Sequence, residues 1–114
     1  MKIINSENRI SRNELKKMAE KMFGNLVKAV IDVEKEIMAV DAELHSDEEA
    51  ELLDKGSKQN NLWGINLYPE IKNNGFIEFD SMINLRPSQG NRSRGVDDKN
   101  IQEKIRKIVA KLIK

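Results

Sequence analysis

Glu43, His45 and Asp47 stand two residues apart around the only histidine of the chain. In a strand running through them all three would share a face, because side chains two apart point the same way. Such a trio could hold a divalent ion, or let His45 work as a general acid or base with Glu43 orienting it. With one imidazole and two carboxylates the donors are mostly oxygen, which suits magnesium or manganese better than zinc. A simpler reading is stronger. Ser46 with Glu49 spells a capping box, which would make Asp47 a first-turn acid favoured by the helix dipole with no ligand at all. No metal site is therefore assigned, and His45 and Glu43 stand as weak catalytic candidates.

A second cluster lies at Arg86 to Arg94, where Arg86, Arg92 and Arg94 accompany Ser88, Gln89, Gly90, Asn91 and Ser93. Guanidinium groups grip phosphate or carboxylate through two parallel hydrogen bonds, and the intervening backbone N–H groups could add to an anion cradle. The glycine spacing matches neither a phosphate-binding loop nor a dinucleotide fingerprint, so no nucleotide is implied. A solvated loop pairing with nearby acids is the plainer alternative. The only Trp and the only Tyr lie close together at Trp63 and Tyr68. Such residues line pockets, although a lone Trp in a small domain is more often a core anchor.

These clusters lead to the expectation of a small-ligand or phosphate/anion-binding domain. Arg86, Gln89, Asn91, Arg92 and Trp63 would contact the ligand, with His45 and Glu43 nearby, an arrangement that suits a binding protein and an enzyme alike. No cofactor is implied. A different class competes: an interaction module, or a homodimer, assembling through the apolar stripe of the last helix.

Composition narrows the field further. There is no cysteine in the 114 residues, which removes disulfides, thiolate metal sites and cysteine nucleophiles and suits a reducing cytoplasm. No Gly-x-Ser-x-Gly elbow supports a serine nucleophile. The net charge of +1 and an aromatic content of 4% make nucleic acid an unlikely partner. No stretch has the apolar length of a membrane span. Charge is unevenly placed, with ten acids and only Lys35 and Lys55 opposing them between residues 31 and 55.

The elements that must position these residues read as a single domain, 1–114, of α+β class. The expected order is α-β-β-α-β-β-α, with a mostly antiparallel sheet of about four strands and helices on one face. Ser11 and Glu14 form a capping box, Ile10 and Leu15 a staple, and the first helix should run to about Phe23 and stop at Gly24. From Leu26 to Leu44 the apolar spacing admits a long helix. The β-branched run Val27, Val30, Ile31, Val33 and its alternation with Asp32 and Glu34 favour a hairpin, with strands over 27–34 and 37–45. Lys35-Glu36 is poor turn chemistry for it. A helix over 47–55 follows, then strands over 62–68 and 76–85, the latter burying Ile77, Phe79, Ser81, Ile83 and Leu85. Asp97 and Asp98 open a final helix whose stripe is Ile101, Ile105, Ile108, Val109 and Leu112.

Ala42-Glu43-Leu44-His45 with Asp47, Gly56-Ser57-Lys58-Gln59, Leu62-Trp63-Gly64, Ile83-Asn84-Leu85-Arg86-Pro87 and Asn91-Arg92-Ser93, taken together, resemble a small prokaryotic family of unknown function. The resemblance runs from about Val27 to the final helix. It implies a shared fold and no activity, so no site residue is carried over from it. Relatives in that family often have glycine where this chain has Asp41 and Ala42.

Overall fold

A computed structural model describes residues 1–114. The chain forms strand β1 (Lys2–Ile4), helix α1 (Arg12–Lys21), strands β2 (Val27–Asp32) and β3 (Ile37–Val40), and helix α2 (His45–Asp54). Strands β4 (Leu62–Leu67) and β5 (Ile77–Glu78) and helix α3 (Lys99–Leu112) complete it. All strand pairs are antiparallel, in the order β1-β3-β2-β4-β5.

The α+β class holds, with two corrections to the expected architecture. The sheet has five strands, because residues 2–4 pair with β3 as a short edge. Helices cover both faces. On one, α1 and α3 pack Leu15, Ala19, Ile105, Ile108, Val109 and Leu112 against Ala29, Ile31, Met38, Val40, Trp63, Ile65 and Leu67. On the other, Leu52 of α2 joins Val30, Ala39 and Leu62. Every residue of β4 is buried, and a strand apolar on both sides needs a layer on each.

Local chemistry explains the boundaries. Ser11 caps α1 by accepting from the Glu14 N–H at 3.1 Å, and Gly24 closes the turn beyond it at φ 90°. The hairpin forms despite its weak turn residues because Asp32 supplies the geometry. Its Oδ1 accepts from the N–H groups of Glu34 and Lys35, both at 2.9 Å, while Oδ2 accepts from Ser57 Oγ at 2.6 Å. Glu36 adopts φ 57°.

After Val40 the second expected strand ends early. Asp41 takes φ 70°, a conformation glycine tolerates best, and α2 begins at His45 with Leu44 as N-cap. Ser46 is thus inside the helix, and the expected capping box does not form. The strand expected over 76–85 also fails to extend. Only Ile77 and Glu78 pair with β4, after which the chain makes single helical turns at Met82–Asn84 and Pro87–Gln89. Leu85 is exposed.

The stripe of α3 is consumed inside the chain's own core, with Ile105, Ile108, Val109 and Leu112 all buried. The face that motivated assembly through this helix is therefore occupied. The end of α3 is tied to the first residues: Ile10 N–H donates to Leu112 O at 3.0 Å, and Arg9 reaches the carbonyls of Lys111 and Ile113.

Candidate functional site

The segment from Ser81 to Asp97 wraps the β4 side of the sheet and is held by two buried asparagines. Gly64 N–H donates to Asn84 Oδ1 at 2.8 Å, and Asn84 Nδ2 donates to the carbonyls of Gly64 and Arg94, each at 2.9 Å. Asn91 Nδ2 donates to the carbonyls of Asn84, Ser93 and Gly95, and its Oδ1 accepts from Asp97 N–H. Asn91 therefore spends its side chain on the loop itself. Gly64 is needed for close approach, since a Cβ there would stand 2.5 Å from Ser81 Cβ.

Arg86 is buried too, so the plainer alternative of a solvated loop does not describe it. Its guanidinium lies over the Trp63 ring at 4.1 Å, and Nη1 donates to the Gln59 carbonyl. Nε and Nη2 have no partner, nor does Trp63 Nε1. Glu49 of α2 is the acid whose field reaches Arg86. Burial raises its carboxyl pKa, while Arg86 and Gln59 oppose the shift.

Beside Trp63 a cavity of about 390 Å³ is lined by Asn60, Gln89, Asn91, Ile101, Asp97 and Asp98, among others. Thus Trp63, Gln89 and Asn91 share one cavity, and Arg86 stacks behind it. Arg92 does not join them: its side chain is exposed, and its backbone N–H donates to Asp97. The charged residues on the cavity wall are acids, which opposes the expected anion there.

His45 sits elsewhere. It is the first residue of α2 and faces inward, with Nε2 at 2.8 Å from the Ile65 carbonyl. Glu43 and Asp47 are exposed. The trio therefore shares no face, Glu43 does not orient the imidazole, and no group of three His, Asp or Glu side chains is placed to hold a metal. This overturns the strand-based metal reading, because the helix starts two residues earlier than its capping signal suggested.

Around His45 is a small pocket of about 170 Å³, lined by Lys28, Leu44, Ser46, Ser81, Met82, Ile83 and Arg94. Lys28 comes from β2, His45 and Ser46 from the start of α2, and the rest of the polar wall from the Ser81–Arg94 segment. No acid lines it. The first N–H groups of α2 meet no capping side chain, leaving the positive end of that helix beside the two cations. Burial lowers the His45 pKa, and Lys28 and Arg94 push it the same way; the Ile65 carbonyl and Asp80 oppose them. Asp80 also pairs with Arg94 at 2.7 Å.

One turn into α2, Glu48 follows His45 on the inward face and is fully buried. Neither carboxyl oxygen has a partner at full hydrogen-bond geometry, and only the Ala42 backbone N–H lies near enough to favour the charged form. Burial pushes its pKa up to about 9, so it carries a proton at neutral pH. The sequence signal for it was the spacing His45, Glu48, Leu52, a helical stripe masked by the neighbouring acids Asp47 and Glu49.

Neither a curated protein nor a solved structure matches the chain. No helix is long and apolar enough to cross a membrane. A family model described as "Protein of unknown function (DUF5674)" matches residues 2–112, which span both asparagine clamps, the Arg86–Trp63 stack and the His45 pocket. The chain belongs to that family.

Proposed function

We propose that this protein binds a small anion in the pocket formed by His45, Ser46, Lys28 and Arg94 at the start of α2. The observation that carries this reading is the sign of the wall: two cationic side chains and an uncapped helix N-terminus converge on a pocket with no acid in its lining. The volume of about 170 Å³ is below the range of drug-sized ligand sites, so the ligand is a single anionic group such as phosphate rather than a nucleotide. Of the residues singled out in the sequence only His45 belongs to this pocket; its cations are Lys28 and Arg94, and Arg86, Gln89, Asn91, Arg92 and Trp63 do not line it.

A second reading is supported by the three unpartnered donors of Arg86 and Trp63. In it, Trp63 and Gln89 face a separate small-ligand subsite, with Arg86 stacked behind the Trp63 ring and Asn91 holding the loop that forms its wall. The acids Asp97 and Asp98 on that cavity wall favour a ligand that also carries positive charge.

Titration with inorganic phosphate, followed by amide NMR, tests the first reading. Shifts should concentrate at His45, Ser46, Ser81 and Ile83. Arg94→Ala or Lys28→Ala should each weaken binding about tenfold or more, the worth of one charge-assisted hydrogen bond. Shifts centred on Trp63, Gln89 and Asn91 instead would support the second site. No saturable shift at either place would rule out both.

A further inference from the structure

The Ile65 carbonyl can only accept a hydrogen bond, so the 2.8 Å contact from His45 Nε2 requires the proton to sit on Nε2. A neutral imidazole has one donor and one acceptor nitrogen, and here the acceptor must be Nδ1. His45 is more than nine-tenths buried and lines the pocket, and Nδ1 has no protein partner. A second ring proton is opposed by burial and by the cations Lys28 and Arg94.

The geometry points to a pocket that selects an oxyanion still carrying a proton, hydrogen phosphate above all, over an equally sized one carrying none, such as sulfate. This rests on the anion-binding reading above and sharpens it. Lys28, Arg94 and the first N–H groups of α2 attract either anion. The Nδ1 lone pair separates them, because it accepts from a P–OH group and repels a bare anionic oxygen. Hydrogen phosphate and sulfate are both tetrahedral and can both carry two negative charges. Their difference at this site is therefore the proton.

The selectivity has its own pH dependence. The groups that set the charge on His45 are Lys28 of β2, Asp80 and Arg94 of the segment following β5, and the Ile65 carbonyl of β4. Glu48, on the same face of α2, is protonated and contributes no charge near neutrality. Once His45 takes up its second proton, at a pH below its ordinary value, Nδ1 becomes a donor and sulfate should be accepted.

The test is a pair of NMR titrations of the intact chain, with inorganic phosphate and with sulfate, at neutral pH and equal ionic strength. Phosphate should bind about tenfold or more tightly than sulfate, the difference between a formed hydrogen bond and a lone-pair repulsion. Repeating the sulfate titration at mildly acidic pH, where sulfate itself does not titrate, should restore its binding. Equal affinities at neutral pH, or a preference for sulfate, would overturn the selectivity while leaving the anion site standing. Binding of neither anion at the His45 and Ser46 amides would overturn both. His45→Gln should lose the preference, and a folded His45→Gln that kept it would assign the discrimination elsewhere. Should that variant fail to fold, the sulfate pH series on the unaltered chain decides alone, and a sulfate affinity that does not rise on acidification overturns the proposal.

Discussion

Glu48→Gln should make the protein markedly more stable at neutral pH. The folded chain holds a proton on Glu48 up to about pH 9, whereas an unperturbed glutamate releases it near 4.5. As pH rises between those values, only the unfolded chain gains from ionisation, so the native state loses about 1.4 kcal/mol per pH unit. The stability associated with this group is full below the lower value, falls through the interval, and levels off above the upper one. At neutral pH the accumulated loss is about 3 kcal/mol, a large fraction of the stability of a small domain. Glutamine has nearly the same shape, keeps a carbonyl oxygen for the Ala42 N–H and cannot ionise, so substitution chiefly removes the ionisation penalty. Urea unfolding followed by the fluorescence of the only tryptophan, Trp63, measures the difference. The two proteins should agree near the lower pKa and diverge with rising pH. Parallel stability profiles, or a variant less stable at every pH, would refute the account of Glu48 as a buried neutral acid.

Two further substitutions test the loop that carries the pocket wall. Gly64→Ala places a methyl 2.5 Å from Ser81 Cβ and should cost about 1–3 kcal/mol of stability by overpacking, read as a lower urea midpoint at constant slope. Asn84→Ala strands the backbone groups of Gly64 and the Arg94 carbonyl, all now satisfied by one amide, and should cost about 2 kcal/mol or more. It should also speed amide exchange from Ser81 to Arg94; a protected loop in the variant would show that Asn84 is not its anchor.

Much of the fold could be read where a local pattern and its tertiary context agree. The α1 cap at Ser11 and the apolar stripe of α3 are of this kind, and both form near their expected limits. The hairpin over β2 and β3 was legible from β-branched residues even though Lys35-Glu36 argued against it, because the turn is built by the side chain of Asp32 rather than by its own residues. Other features were hidden for physical reasons. Three residues of β1 carry no usable periodicity. The alternation after Phe76 looked like a long strand, but pairing with β4 stops at Glu78 and the side-chain amides of Asn66 and Asn84 take over the contacts beyond it. The second helical layer was hinted at in β4, where only Asn66 interrupts the apolar residues, yet a strand buried on both faces and one buried on one face differ by few residues. In the pocket, His45 was an obvious candidate by being unique. Lys28 was not, because it reaches the site through the sheet and no sequence spacing links it to His45 or Arg94.

The amide of Asn84 also bears on how this molecule avoids its own kind. Beyond the two residues paired with β5, strand β4 would present free backbone groups along an open margin of the sheet. Such a margin invites another chain to add a strand, the first step of aggregation. A side-chain amide has the same donor and acceptor as a peptide unit, and here it engages both the N–H and the C=O of Gly64. A single residue thus occupies the Gly64 position of that margin without a further length of strand, leaving the following segment free to form pocket wall instead of sheet.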